Sequence, residues 1–111
     1  MMRKYGNIHT EYRGKRFDSR REARRYAELS LMEQVGEISG LRTQVAYVLI
    51  PSQKDSNGKV VERAITYKAD FVYTDKDGNQ VVEDSKGYRT DVYKLKRKLM
   101  LYVHGITVKE T

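Results

Sequence analysis

The feature that most constrains this chain is a short turn, DKDGN at 75–79, set between two runs of strand-forming residues. An Asp-Gly step favours the left-handed backbone of a tight hairpin. Before it lies VVERAITYKADFVYT (60–74), and after it QVVEDSK (80–86). Two such runs joined by that turn pair antiparallel. Side chains alternate along a strand, so Val82, Asp84 and Lys86 share one face while Val81, Glu83 and Ser85 share the other. An acid and a lysine side by side on one face are either an ion pair on an edge strand or half of a metal-dependent active site.

The remaining elements arrange themselves around that hairpin. FDSRREARRYAELSLMEQVGEI (17–38) has the signature of a helix. Ser19 is a good N-cap and Glu22, three residues on, completes a capping box. Ala23, Tyr26, Ala27, Leu31 and Val35 recur at helical spacing, and Gly36 supplies the stop. QVAYVLIP (44–51) is a nearly continuous apolar run, which predicts a buried strand ending at Pro51. SQKDSNGK (52–59) is a polar loop with an Asn-Gly turn. Thr90 caps a second helix, DVYKLKRKLMLYVHG (91–105), whose expected core stripe is Val92, Leu95, Leu99, Tyr102 and Val103, with Gly105 at its end. ITV (106–108) reads as a last short strand, and residues 1–16 as irregular or a short hairpin turning at Gly6 and Gly14. The order is α-β-β-β-α-β. The fold class is α/β (α+β), a mixed four-stranded sheet flanked by helices. The last strand–helix–strand crossover should be right-handed, which makes its two strands parallel.

At 111 residues the chain suits one domain, 1–111, with a basic N-terminal segment over about 1–16. No apolar run approaches the length of a membrane span. MMRKYGNIHT has no apolar core of a secretory signal. The absence of cysteine excludes disulfides and cysteine-ligated zinc, and points to the cytoplasm. The net charge of +7 is unevenly spread. Residues 1–25 hold nine Lys/Arg against three acids, residues 86–98 six against one, and the rest seven against eleven. Two basic blocks around an acidic middle suit a polyanion, because Lys and Arg neutralise phosphates and release counterions. Charge alone leaves two readings, a nucleic-acid partner or a soluble basic surface with no partner.

The acidic middle carries the chemistry. Asp70, in YKADF, sits on the strand before the turn, and Asp84 and Lys86 on the strand after it. Carboxylates from neighbouring strands converging on one point suit Mg²⁺, which takes oxygen ligands, keeps several waters and is often completed by substrate phosphate. A lysine beside them can stabilise charge developing on phosphorus.

Asp70 followed by Asp84-Ser85-Lys86 resembles the signature of the PD-(D/E)xK nucleases, and α-β-β-β-α-β is that superfamily's core order. Alanine rather than proline precedes Asp70 here. FDSRREARRYAEL, GEISGLRTQV, YKADFVY and VVEDSKG together resemble a family of small phage and prophage proteins of unknown function grouped with those nucleases. This likeness covers about residues 4–108. It implies a restriction-endonuclease-like core, Asp70 and Asp84 as metal ligands, the Ser85 carbonyl as a further ligand and Lys86 as the catalytic lysine. It also implies a glutamate from the first helix, for which Glu22 is the best match, and a phage- or prophage-encoded protein in the bacterial host cytoplasm.

Each residue also has a plainer reading. Glu22 is explained by capping alone, and Glu28 by ion pairing along an arginine face. Glu83 is expected to be solvated or paired with a base. Gln44, opening the first strand, is an additional candidate for the site. His9 and His104 lack ligand-like spacing, and Asp75 and Asp77 fit turn chemistry. Arg21, Arg24 and Arg25 on the first helix, and Lys94, Arg97 and Lys98 on the second, are the expected phosphate contacts, with Tyr88 as a stacking residue. The expected function is a Mg²⁺-dependent DNA endonuclease, with Mn²⁺ able to substitute. Similarity to archaeal Holliday-junction resolvases implies junction or branch cutting, and a symmetric double cut implies a homodimer. Two alternatives stand beside it: a DNA-binding phage accessory protein that keeps the fold without the activity, and an RNA-processing nuclease on the same core.

Overall fold

The computed structural model describes residues 10–12, 15–17 and 19–111. Gly6, His9 and Gly14, with most of the basic N-terminal segment, lie outside the described residues. Within that segment β1 (Thr10–Tyr12) and β2 (Lys15–Phe17) pair antiparallel, Thr10 opposite Phe17.

The first helix, α1 (Arg20–Gln34), starts as its sequence dictates: the Ser19 hydroxyl accepts the Glu22 N–H at 3.1 Å. It stops through two bonds, Gly36 N–H to the Glu33 carbonyl and Glu37 N–H to the Met32 carbonyl, with Gly36 at φ +82°. That left-handed step is what glycine allows at low cost. The buried face differs from expectation. Glu22, Ala23, Leu29 and Ser30 are buried with Tyr26 packed alongside, whereas Leu31 and Val35 are exposed. Two apolar stripes satisfy helical spacing here. The one that meets Phe17, Ile38 and Phe71 is the one containing Ala23 and Leu29.

The central sheet has the order β3-β6-β7-β8. β3 (Ser39–Ile50) begins five residues earlier than the apolar run suggests. One face meets the core and the other meets solvent, so burial alternates; Leu49 is buried and Val48 is exposed. The expected buried strand is therefore half-exposed, because a run of apolar residues does not say whether one face of the strand is covered or both. β6 (Ile65–Thr74) pairs antiparallel with both β3 and β7 (Gln80–Asp84). The β6–β7 turn is tied by Asp75, whose Oδ1 accepts the N–H groups of Asp77 and Asn79, with Gly78 at φ +83°.

The expected long strand over 60–74 is broken. β5 (Val60–Glu62) pairs with β4 (Gln53–Lys54) as a separate ribbon. The reason is pairing: β3 ends at Ile50, so residues before Ile65 have no partner in the main sheet. β7 ends at Asp84, leaving Ser85 and Lys86 just beyond the strand. The last strand is β8 (Lys109–Glu110), parallel to β7, rather than 106–108; Val108 is buried just before it.

The second helix, α2 (Asp91–His104), is capped by Thr90, whose hydroxyl accepts the Tyr93 N–H, and closed by Gly105 at φ +68°. Its expected core stripe is mostly outside. Val92, Leu95, Tyr102 and Val103 are exposed; Tyr93 and Met100 are buried, with Leu99 packed at the margin. Tyr93 sets this rotation by placing its ring near Tyr67 and its hydroxyl on Glu110.

Among the described residues the architecture is α+β: a mixed four-stranded sheet with two helices, and two apolar clusters. One joins α2 to the sheet through Tyr67, Ala69, Val72, Val82, Tyr93 and Met100. The other joins α1 through Ala23, Leu29, Phe71 and Tyr73. Among the described residues no helix is long and apolar enough to cross a membrane.

The two faces of α2 should respond differently to truncation. Met100→Ala removes a fully enclosed side chain and should cost about 2–5 kcal/mol in urea denaturation. Leu95→Ala, on the face the sequence pattern favours as core, should stay within about 1 kcal/mol. Equal losses would contradict the observed rotation.

Candidate active site

Asp70 and Asp84 meet where β6 and β7 run side by side. Strict alternation would put Tyr67, Ala69, Phe71 and Tyr73 on one face of β6. Instead Tyr67 and Ala69 join the α2 cluster, while Phe71 and Tyr73 join the α1 cluster. The reversal falls at Asp70. Across from it, β3 shows the same break, since Leu41 packs with the α1 cluster and Val45 and Tyr47 with the α2 cluster. Gln44 lies at the switch with φ +55°, a backbone region that costs a non-glycine residue energy. Register runs through Thr43↔Phe71 and Val45↔Ala69, with Gln44 and Asp70 in the gap between them.

This irregularity aims side chains at a common point. Gln44 Nε2 donates to Glu22 Oε1 at 2.8 Å and to Asp70 Oδ1 at 3.5 Å. The Ser85 N–H donates to Asp70 Oδ2 at 2.7 Å. Asp84 is 1% exposed, and its Oδ2 accepts the Tyr67 hydroxyl at 2.5 Å. Asp84 Oδ1 is buried with no hydrogen-bond partner, and Lys86 Nζ stands 3.8 Å from it. Lys86 is held over the Tyr93 ring, 5.7 Å from its centre.

The electrostatics are those of crowded, buried carboxylates. Burial pushes the Asp70 carboxyl up to about 6; the nearby Asp84 charge adds to this, while the Ser85 N–H, Lys86 and Gln44 oppose it. Burial also raises Asp84, against the Tyr67 hydroxyl and Lys86. Burial and the Asp84 bond hold the Tyr67 phenol far above its ordinary range, so it remains a donor.

The opposite face of β7 resolves its charge differently. Glu83 is 0% exposed, and Arg25 grips it with Nε to Oε1 at 2.8 Å and Nη2 to Oε2 at 2.7 Å. The Tyr73 hydroxyl also donates to it, and Lys109 Nζ lies 4.0 Å away. Of the two readings of Glu83, solvated or paired with a base, the second describes it, with complete burial added.

The sequence-selected residues thus fall into three groups. Asp70, Asp84, Ser85, Lys86, Gln44 and Glu22 come together. Glu22 reaches Asp70 through Gln44, and among the described residues no three His, Cys, Asp or Glu side chains stand at metal-ligand spacing. Arg21, Arg24, Lys94, Lys98 and Tyr88 are exposed. Arg25 and Arg97 are committed inside the protein, Arg25 to Glu83 and Arg97 to Glu110 at 3.1 Å. Sequence reasoning missed Tyr67 as the partner of Asp84. It also missed Glu110, which accepts from Arg89, Tyr93 and Arg97 and is held below the usual carboxylate range, first by the Tyr93 hydroxyl. No local pattern marks either residue; the pairing of distant elements creates both contacts.

The donor set fits a hard divalent cation. Two carboxylates from adjacent strands are oxygen ligands of the kind such an ion takes, with water and phosphate oxygens completing its shell. The orphaned Asp84 Oδ1 is an acceptor that a cation would satisfy.

Two outcomes follow for stability. Because the folded Asp70 carboxyl titrates near 6, above its ordinary 3.8, its stabilising contribution is complete below pH 3.8 and is lost as pH rises through 6. In EDTA, Asp70→Asn should therefore be more stable than the parent at pH 8, by on the order of 3 kcal/mol at most. The gap should close toward pH 4. Urea titrations across pH check this, and a less stable variant at pH 8 would contradict it. On the other face, Arg25→Ala strands a buried carboxylate and should cost about 3–5 kcal/mol, part of it recovered by Glu83→Gln in the same chain.

No curated protein and no solved structure matches the chain. Residues 2–109 match the family described as "Protein of unknown function (DUF1064)". That match spans nearly the whole sequence, from before the β1–β2 hairpin into β8, and includes every residue of the site: the chain belongs to this family of proteins of unknown function.

Proposed function

We propose that the chain is a Mg²⁺-dependent endonuclease with a restriction-endonuclease-like core, acting on DNA in a phage or prophage setting in the host cytoplasm. One observation carries the reading. Two buried carboxylates from adjacent strands, Asp70 and Asp84, share a site in which one oxygen, Asp84 Oδ1, has no hydrogen-bond partner and one lysine is poised beside it. A purely structural acid pair would be an unusual use of burial, because ionised groups away from water are retained at a penalty.

Asp70, Asp84 and the Ser85 carbonyl would hold the ion. Bound Mg²⁺ supplies charge on a phosphate oxygen and lowers the pKa of water. Tyr67 and the Ser85 N–H fix the two carboxylates, so neither needs to reorganise when substrate arrives. Lys86 provides positive charge at the reacting phosphate. Gln44 orients Glu22 toward the same centre, where Glu22 is available to a metal-bound water. Arg21 and Arg24 on one side, and Lys94 and Lys98 on the other, hold the nucleic-acid backbone, with Tyr88 free to stack on a base. Junction or branch cutting by a homodimer is the finer form of this proposal.

The test is single-turnover cleavage across single-stranded, duplex, flap and four-way-junction DNA and RNA, each with Mg²⁺, Mn²⁺ or EDTA. Metal-dependent cutting of at least one DNA substrate is expected. Lys86→Ala should slow it by roughly two or more orders of magnitude while binding persists, the scale of losing one electrostatic stabiliser. Glu22→Gln keeps its cap, since Ser19 bonds the Glu22 backbone rather than the side chain, and should lose most of the cleavage. Binding without cleavage of any substrate would favour the DNA-binding module instead, and cutting of RNA alone would move the substrate class.

A further inference from the structure

On the α1 side of β7 is a cavity of about 300 Å³, lined by Arg21, Arg24, Arg25, Glu28, Ser85 and Thr111. The three arginines reach it because positions three and four apart share a helix face. Their charges are not equally spent. Arg25 is committed to Glu83 and Glu28, with Nη1 to Glu28 Oε2 at 2.9 Å. Glu28, the acid in the lining, is thereby already paired. Among the described residues Arg21 bonds through Nε alone, to the Thr111 main-chain oxygen at 3.2 Å, so its terminal nitrogens have no partner there. Arg24 is exposed and makes no hydrogen bond or ion pair among the described residues.

A second observation is independent of the arginines. Ser85 is 8% exposed, and its Oγ is buried without a hydrogen-bond partner. Thr111 Oγ1, across the same cavity, is also buried and unpartnered. Unsatisfied buried hydroxyls are uncommon in folded proteins and call for an explanation. A wall of guanidiniums and unpartnered hydroxyls offers many donors and a surplus of positive charge. Its complement is a compact anion made of acceptors.

We infer that this cavity is a subsite for a phosphomonoester, the terminal phosphate of a nucleic-acid strand. The strand rests on the nuclease reading above; the phosphate does not. A phosphomonoester carries about −1.5 to −2 charges at pH 7 and three acceptor oxygens. An internal diester carries one charge and has two free oxygens, which would leave donors in this cavity unmet. Arg21 and Arg24, which among the described residues pair with no carboxylate side chain, match a dianion in charge and can bond its oxygens in pairs. Ser85 belongs to this cavity through its hydroxyl and to the Asp70–Asp84 site through its backbone N–H. A strand end held there lies one residue along the chain from both Asp84 and Lys86.

The experiment measures binding of the full chain in EDTA, by fluorescence anisotropy, to a short oligonucleotide ending in phosphate or in hydroxyl at the same terminus, for each terminus in turn. The phosphorylated form should bind roughly tenfold more tightly at one terminus. Arg21→Ala with Arg24→Ala should abolish that preference, and Ser85→Ala should reduce it about threefold. Arg25 is kept, because removing it strands Glu83. Circular dichroism checks folding, and Arg24→Ala alone serves if the double variant is unstable. Equal binding of both forms at both termini, or a preference that survives removal of Arg24 and Arg21, overturns the inference. Binding of inorganic phosphate that depends on these arginines, with no end preference, assigns the cavity to free phosphate and overturns the strand end. End preference without cleavage in Mg²⁺ defeats the nuclease reading and leaves this subsite standing; cleavage without end preference does the reverse.

Discussion

The structure depends on one buried ion pair, Arg25 on Glu83. A carboxylate with no exposure at all is tolerated only where its oxygens are met by donors of opposite charge. Here a two-pronged guanidinium and a tyrosine hydroxyl meet them, drawn from α1 and from β6. The pair therefore fixes three elements at once. It docks α1 against β7 in one rotation, which explains why Ala23 and Leu29 face the sheet while Leu31 and Val35 do not. It also fixes which side of β7 each residue faces, because a slip by one position would trade Glu83 for Asp84.

That constraint gives β7 its asymmetry. Two adjacent acids, both buried, point to opposite faces. Glu83 is matched in charge and geometry by Arg25. Asp84 has one neutral donor, one distant lysine and one oxygen left without a bond. If burial of acids served packing alone, both would be paired alike. The face that is electrostatically settled supports the face that is not, and the second shares its crowding with Asp70. The same division appears in the backbone. The hairpin and caps are unstrained, while the costly φ of Gln44 falls at the point where two strands change face. Strain held beside an incompletely satisfied acid pair supports the proposed reading of a preorganised site.

Much of this was legible in the sequence because it is local. Asp75-Gly78 turn chemistry, the Ser19 and Thr90 caps, and the Gly36 and Gly105 stops each act within a few residues, and each stands where the pattern puts it. The convergence of Asp70 with Asp84 followed from the hairpin register. The helix faces did not follow. In α2, Val92, Leu95, Leu99, Tyr102 and Val103 make a better apolar stripe than Tyr93 and Met100. The choice was made by Tyr93, whose hydroxyl needs Glu110 from a strand far along the chain. Likewise the break at Arg63 and Ala64 depends on where β3 ends, and the reversal at Asp70 on Gln44 across the sheet. Spacing reports which residues share a face; only the partners decide which face is covered.

Asp70 and Asp84 crowd two buried carboxyls into one site. Burial raises both carboxyls and the Asp84 charge raises Asp70 further, so Asp70 keeps its proton until the pH rises through about 6. Lys86 lowers both, yet it is half exposed and 3.8 Å from the nearer oxygen, too loosely placed to cancel the second charge. In the proposed nuclease, a divalent cation held by Asp70 and Asp84 would supply the charge that this lysine does not. It would compete with the Asp70 proton, so its affinity would fall as pH drops toward 6. Lys86 would then be free to face a phosphate. The loose placement of Lys86, a weakness in a structural ion pair, supports the catalytic role proposed for it.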